Sequence, residues 1–365
     1  MRIVHISDIH LSASNFGDFK KYYRKALLKV LSKEHKETPI DIIAITGDLV
    51  DKGGHSLLKM SLFKTETDPY KIFEDQFITP IKNELNLSNA NFLFIPGNHD
   101  VDESKILWFD EKTFQDEEVE GNINDTLPKI RDEINNYNQR IEQFKNFEHR
   151  FHAGNPDYLS TYNESTYIYE HRPGIRVGFA LINDSWRCST CHLVKHKDKK
   201  LYFGSDQLNN ALDILENNKT ILNVILTHHP IDKYAEQAEV EKILKNFEFH
   251  LHLYGDQHHL KLSTYIDPNG ECFGIMARAG LNNPREPLSE WQPGFHIIDI
   301  NFQEAVISCI TYYHYIEKNC QFSFDVHAKS PDGIDKNKRP LGFQKVPLHN
   351  ASTLKTLDRE KYKKK

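Results

Sequence analysis

The feature that most constrains this chain is a register: five short apolar runs each stop at a cluster of Asp, Asn or His. Ile3–Ser7 runs into Asp8-Ile9-His10, Asp41–Thr46 into Gly47-Asp48-Leu49-Val50-Asp51, and Asn91–Ile95 into Gly97-Asn98-His99-Asp100. Further on, Ile221–Leu226 leads to Thr227-His228-His229-Pro230, and Phe249–Tyr254 to Gly255-Asp256-Gln257-His258-His259. Asp41–Thr46 is continuously apolar, as a strand buried on both faces should be, and the other short runs read as strands beside it. In open α/β sheets, ligands bind outside the carboxyl ends of the strands. One Asp-x-His triplet alone is an ordinary polar loop; five such ends in register predict a single ligand site. The glycines at 47, 97 and 255 allow a sharp turn just before the donors.

The intervals between these runs set the fold class. Asp18–His35 has helical spacing through Tyr22, Ala26, Leu27, Val30 and Leu31. Pro69–Leu87 reads as a second helix, with Pro near its start and Ile72, Phe73, Phe77, Ile78 and Ile81 on one side. Three successive βα units predict an α/β fold with helices packed on a sheet. Strands are expected at Thr166–Glu170 and Arg176–Ile182, and helices at Ser205–Glu216 and Ala235–Phe247. From Leu260 to Val326 the pattern is almost all strand, with a hairpin signal at Asp267-Pro268-Asn269-Gly270. An α/β half is thus followed by a β-rich C-terminal half, together forming one domain over 1–330. Residues 102–165 read as a helical insertion and 331–365 as a C-terminal extension ending in Lys361, Lys363, Lys364 and Lys365. Within the insertion, Leu127, Ile130, Ile134, Tyr137, Ile141, Phe144, Phe147 and Phe151 recur at three- and four-residue steps. That predicts a helix of roughly 25 residues over 127–151. A helix lying on the core is the simpler reading; a homodimer seam or an arm for a protein partner is the alternative.

Composition narrows the function class. With 39% hydrophobic and 27% charged residues, the chain is too apolar to be disordered. A net charge of −6 argues against non-specific coating of nucleic acid or anionic membrane, which scales with basic contacts. Apolar runs such as Phe92–Ile95 and Phe179–Ile182 fall far short of the roughly 20 residues that span a bilayer. The sequence opens directly on a strand with no charged-then-apolar leader, and its five cysteines make no disulfide scaffold. A cytoplasmic enzyme is expected.

The donors themselves point to chemistry. Carboxylates, a carboxamide and imidazoles suit a pair of divalent ions such as Mn²⁺ or Fe better than a thiolate-bound structural zinc. Two ions roughly 3.5–4 Å apart clamp a phosphoryl group and activate water for in-line attack.

The order Asp8-x-His10, Gly47-Asp48-x-x-Asp51, Gly97-Asn98-His99-Asp100, His228 and Gly255-x-x-His258 resembles the calcineurin-like metallophosphoesterase superfamily. The resemblance covers residues 8 to 258 and implies a β-sandwich flanked by helices, with two divalent metal ions at the strand ends, Mn²⁺ preferred over Fe, Zn²⁺ or Mg²⁺. It implies that Asp8, His10 and His258 hold the first ion, that Asp48 bridges both, and that Asn98 and His228 bind the second. It further implies that His99 binds no metal but stabilises the transition state and protonates the leaving group, and that Asp100 orients His99. One position departs from the pattern. Where the superfamily has Gly-His-x-His, this chain has Gly255-Asp256-Gln257-His258. Asp256 is expected to ligate the second ion and to bias it towards harder metals such as Mn²⁺ or Mg²⁺. His229, His250, His252 and His259 are neighbours that would substitute, although His250 and His252 read as packed histidines.

The expected activity is metal-dependent phosphoric ester hydrolysis, with a nucleotide or nucleic-acid phosphodiester preferred because the insertions at 102–165 and 186–204 suit a large substrate. Phosphomonoester hydrolysis on a protein or small molecule is the alternative, as is a catalytically impaired binding or regulatory module of the same fold. The nuclease branch tends to place a His shortly after Gly-Asp; here only the distant His55 is available, which weighs against a break-repair nuclease. Cys188-Ser189-Thr190-Cys191-His192 has the spacing of a c-type haem attachment but is expected to be a plain loop with reduced thiols. The run Lys195–Lys200 reads as a solvated face, and Tyr158, Tyr162, Tyr167 and Tyr169 as core residues rather than base-stacking platforms.

Overall fold

Parity along the central strands sorts side chains into two layers, because successive residues of a strand point to opposite faces. In the strand Ile42–Thr46, Ile42 and Ala44 join one apolar cluster while Ile43 and Ile45 join another, and all four are fully buried. Such a strand belongs to a sheet covered on both sides. The computed structural model describes residues 1–106, 139–188, 201–246, 249–257, 261–267, 270–281, 292–326, 328 and 330–347.

Two sheets result. The first contains β1 (Arg2–Ile6), β2 (Ile42–Thr46), β3 (Phe92–Ile95), β11 (Gly294–Asn301), β12 (Val306–Ile316) and β13 (Gln321–Phe324), in the order β13-β12-β11-β1-β2-β3. β1, β2 and β3 run parallel, and β11 pairs antiparallel to β1. The second contains β4 (Tyr158–Ser160), β5 (Ser165–Arg172), β6 (Ile175–Leu181), β7 (Leu222–Leu226), β8 (Leu251–Tyr254), β9 (Lys261–Asp267) and β10 (Gly270–Met276), in the order β4-β5-β6-β7-β8-β10-β9. Here β6, β7, β8 and β10 are parallel, and β9 with β10 forms the antiparallel pair expected from the hairpin signal.

One cluster joins the inner faces, with Ile3, Ala44, Leu93 and Ile298 of the first sheet against Phe179, Val224, Leu253 and Ile275 of the second. Tyr158 and Tyr167 are buried in it, which accounts for them as core. The outer face of the first sheet, through Val4, Ile6, Ile45 and Phe94, packs on helical turns from 16–37, 69–85 and 142–151. The outer face of the second, through Ala180 and Ile225, packs on the helices Asp206–Asn217 and Gln237–Asn246. The expected β-sandwich flanked by helices is therefore observed. Among the described residues no helix is long and apolar enough to cross a membrane.

Two expectations are corrected. The 127–151 stripe is not one continuous helix: Gln139–Ile141 forms a 3₁₀ turn and an α-helix starts only at Glu142, while 127–138 lie outside the described residues. Phe144, Phe147 and Phe151 of that helix are buried in this chain's own core, with Phe147 stacked on Phe94 at 4.7 Å, so they are not available as a dimer seam. The stretch after 330, expected as an extension, adds β14 (Ile334–Asp335) and β15 (Arg339–Pro340) to β12, and Leu341 and Phe343 enter the inter-sheet core. Residues 348–365, with the basic tail, lie outside the described residues.

Candidate metal centre

The parallel strands β1, β2 and β3 of the first sheet and β7 and β8 of the second deliver their carboxyl ends to one place. After β1 and β2 the chain turns through left-handed backbone at Asp8 (φ 52°), His10 (φ 46°) and Asp48 (φ 54°), a region that non-glycine residues enter at a cost and that clusters at functional sites. Backbone bonds hold the strain: Asp8 N–H donates to Gly47 O at 3.1 Å, and His10 N–H to Asp48 O at 2.8 Å. Gly47 (φ 91°) is required twice over, since a Cβ there would lie 2.3 Å from His228 Nδ1. At Gly255 a Cβ would meet Ser7 Oγ at 1.9 Å and Asp8 Oδ2 at 2.8 Å, so the β8 loop closes against β1 only because this residue has no side chain.

The donors converge on Asp48. Its Oδ2 lies 3.5 Å from His10 Nε2 and 3.4 Å from His228 Nε2, while its Oδ1 accepts the amide of His99 at 2.7 Å. His10 Nε2 is 3.8 Å from Asp8 Oδ1, and His228 Nε2 is 3.1 Å from Asn98 Oδ1. Ligands about 2.1 Å from one ion lie roughly 3.0–3.4 Å from each other in octahedral or tetrahedral sites, so the contacts of His228 with Asn98 and Asp48 have the spacing of atoms sharing an ion, and the His10–Asp48 contact lies just beyond it. Asp8, Asp48 and His228 form one set whose ligand atoms all lie within 4.8 Å. His228, His229 and Asp256 form another. The donor chemistry and spacing therefore fit divalent metal ions.

Charge follows from this crowding. Burial opposes ionisation of Asp48, but the facing His228 and His10 outweigh it and hold the carboxyl well below its ordinary value. His228 shows the reciprocal effect: burial pulls it down, yet Asp48 raises it to about 10. Its tautomer is set from behind, because His228 Nδ1 lies 2.8 Å from the Thr46 carbonyl and so donates to it, leaving Nε2 directed at Asp48 and Asn98.

His99 joins a third set, with His10 and Asp51, whose ligand atoms also lie within 4.8 Å of one another. Its Nδ1 lies 2.7 Å from Asp51 Oδ1 and its ring meets that of His10 edge-on at 4.5 Å. Burial lowers its pKa, but the Asp51 hydrogen bond and the charges of Asp48 and Asp51 prevail and raise it. The expectation that Asp100 orients His99 is overturned. The Asp100 carboxylate accepts from the amides of Leu49 (3.1 Å), Val50 (3.2 Å) and Gly97 (2.8 Å), and from the Tyr70 hydroxyl. Burial and the nearby Asp48 push this carboxyl up to about 7 in spite of the amides. Asp100 thus ties the β2 and β3 loops together, and Asp51 takes the orienting position.

Asp256 enters left-handed backbone (φ 71°), its amide donates to Asp8 Oδ2 at 3.3 Å, and its Oδ1 lies 4.0 Å from His229 Nε2. His258 and His259 lie outside the described residues, as do Cys191, His192 and the Lys195–Lys200 run. His250 Nδ1 accepts the Asn223 amide and His252 bonds to Thr227 Oγ1, so both are packed histidines as expected. His55 is engaged by Asp102 at 2.8 Å. Sequence reading missed Asp184, a fully buried carboxylate after β6 that accepts from the amides of His228 and His229 and from the Tyr234 hydroxyl. The signal was there: Phe179–Ile182 is another apolar run that ends in Asn183-Asp184.

A curated relative, the uncharacterized metallophosphoesterase-like protein YydB of Bacillus subtilis, is 22% identical over 319 residues, covering 86% of this chain and 59% of that protein. This chain thus spans less than two thirds of that relative's length. Among solved structures, the calcineurin-like phosphoesterase YfkN of Bacillus subtilis aligns over 100% of this chain and 97% of its own at 12% identity and a TM-score of 0.39. The NAD nucleotidase of Haemophilus influenzae aligns over 99% of this chain and 56% of its own at 13% identity and a TM-score of 0.44. Residues 1–260, most of the chain, match the calcineurin-like phosphoesterase family as a whole. With its donors at the same strand ends that the sequence motifs occupy, this chain belongs to that metal-dependent family.

Proposed function

We propose that this chain is a dinuclear metal-dependent phosphoesterase that hydrolyses phosphodiesters of nucleotides or nucleic acid. The observation that carries the reading is the position of Asp48, one oxygen of which lies 3.5 Å from His10 Nε2 and 3.4 Å from His228 Nε2. A carboxylate oxygen facing one imidazole from each sheet would be shared by two ions. Asp8, His10 and His258 would hold the first, and Asn98, His228 and Asp256 the second, with Mn²⁺ favoured by the oxygen-rich second set. When bound, the ions would neutralise the phosphoryl charge and lower the pKa of water.

The chain's own residues supply the rest. His99, kept charged by Asp51, holds a proton on a ring that is not fully buried (28% exposed), where it would reach a leaving-group oxygen as a general acid. Asp51 positions the ring by fixing Nδ1. The preference for a diester rests on what borders the centre. The Asp102 amide donates to Arg140 O at 2.7 Å, and Arg140 Nη1 donates to Cys188 O at 3.3 Å. The described edges of the two insertions are therefore tied to each other through Arg140 and Cys188, and the second esterified group of a diester would rest on that side of the centre.

The test is a substrate panel on the Mn²⁺-loaded full-length chain. A bis-nitrophenyl phosphodiester, nitrophenyl phosphate, cyclic nucleotides and single- and double-stranded DNA would be compared by kcat/KM. The reading expects a diester to lead. A monoester turned over faster than every diester would overturn the diesterase assignment, and no turnover of any ester by protein carrying two ions would overturn the enzymatic one.

A further inference from the structure

We infer that His229 is a ligand of the second ion, and that His229 and Asp256 together occupy the place where the superfamily motif has a single histidine. The inference rests on the dinuclear reading above and assigns a residue that reading does not use.

Three observations carry it. The first is placement: His229 follows His228 at the end of β7, their rings meet at 4.7 Å and 78°, and the ligand atoms of His228, His229 and Asp256 all lie within 4.8 Å of one another. The second is orientation. Asp184 Oδ2 lies 3.2 Å from His229 Nδ1 and accepts the His229 backbone amide at 2.7 Å, while the Tyr234 hydroxyl bonds both to that oxygen and to the His229 carbonyl. Ring and backbone are thus fixed to one buried carboxylate, which sets the proton on Nδ1 and the lone pair on Nε2. A carboxylate behind an imidazole is the usual support of a metal-binding histidine.

The third is the gap in front of Nε2. Asp256 Oδ1 lies 4.0 Å away, too long for a hydrogen bond and close to twice the roughly 2.0–2.2 Å of a metal–ligand bond. The backbone keeps Asp256 there at the cost of left-handed φ (71°), with its amide held by Asp8. Replacing the motif histidine by a shorter carboxylate removes an imidazole from one side of the ion; His229 brings one from the other. The competing partner of Nε2 is Cys188 Sγ at 3.9 Å, a contact within the reach of a weak thiol hydrogen bond. If that contact alone explains the ring, the metal does not need it.

The experiment is metal titration of the full-length chain after chelation, followed by elemental analysis with Mn²⁺ and by visible absorption with Co²⁺, whose ligand-field bands report the donor set. Wild type is expected to take two ions. His229→Gln, close in size and still polar, should retain the tighter ion, weaken the second by ~10–100-fold or more and change the Co²⁺ bands. Asp184→Asn should weaken the same site by ~10–100-fold, and serves if His229→Gln does not fold. Cys188→Ala should leave titration and spectrum as in wild type. A His229→Gln titration and spectrum that overlay wild type would overturn the inference while leaving the dinuclear reading intact. So would loss of the second ion in Cys188→Ala with no change in His229→Gln. A wild-type chain that takes a single ion, or an Asp48→Asn variant that keeps two, would sink the dinuclear reading itself and this inference with it.

Discussion

Where β1 and β2 end, backbone meets backbone: the amides of Asp8, Ile9, His10 and Leu11 donate to the carbonyls of Gly47, Asp48 and Leu49 at 2.8–3.1 Å. Where β7 ends, the amides of His228 and His229 donate instead to a side chain, the Asp184 carboxylate delivered by the loop after β6. β1 and β2 therefore position their ligands against each other by backbone register, and β7 positions its own by a buried carboxylate. A register is shared among many bonds and tolerates the loss of one. A single buried carboxylate holding two amides, an imidazole and a phenol concentrates the same task in one residue, and its removal leaves several donors unsatisfied at once.

That contrast can be broken from its shared member first. Asp48 touches both halves, so Asp48→Asn is expected to release both ions and lower turnover by more than ~10⁴-fold, beyond what loss of a general acid alone produces. Near wild-type turnover in the purified variant would show that Asp48 does not join the halves. Next in size is His99→Ala, where turnover should drop ~10²–10⁴-fold with both ions retained; metal lost on elemental analysis would instead make His99 a ligand.

Neighbouring carboxylates sharpen the comparison further. Asp51→Asn should cost ~10–100-fold in kcat/KM. The acid form of His99 is the active one, so the rate falls as pH rises through its pKa. Without Asp51 that pKa drops, and the basic limb of the pH profile should move to lower pH. Asp100→Asn should leave the limb where it is and lower unfolding stability by about 1–3 kcal/mol, because a buried acceptor of three amides is weakened. A shifted limb in Asp100→Asn would restore Asp100 as the orienting residue.

The smallest effect concerns the histidines beneath each half. Burial holds His252, on β8 and bonded to Thr227, down to about 3, and burial together with Arg278 does the same to His296, on β11 beside β1. Both folded values lie below the ordinary 6.5, so the unfolded chain binds more protons at acid pH. Their contribution is complete above about pH 6.5 and is lost as pH falls towards 3. Each should contribute roughly 1–2 kcal/mol of destabilisation between pH 7 and 5. Chemical unfolding of His252→Gln and His296→Gln at both pH values would show which half is the more acid-labile; slopes identical to wild type in both variants would exclude these histidines as the cause.

Much of this is legible in the sequence alone. Apolar runs ending in donors gave the strands and their carboxyl ends, because a strand buried on both faces must be continuously apolar and a ligand loop must be polar. The aromatic stripe at 144–151 gave a helix but not its start, since three- and four-residue spacing is the same for a continuous helix and for one preceded by a 3₁₀ turn. The exchange of roles between Asp51 and Asp100 was not legible. Asp51 follows Gly47 by four residues and Asp100 follows Gly97 by three, and only the backbone path after β2 and β3 decides which carboxylate meets the His99 ring and which meets amides.

By itself, then, the sequence determined the central strands, their order and the residue types at each strand end, because hydrophobic period and donor chemistry are local properties. Tertiary structure alone decided which donors meet. His10 and His228 face the same oxygen of Asp48 although they come from different sheets and stand 218 residues apart in number. Asp184 lies behind two histidines more than forty positions downstream. Such pairings are set by how two sheets pack and by where each parallel crossover returns the chain, and no local pattern carries that information.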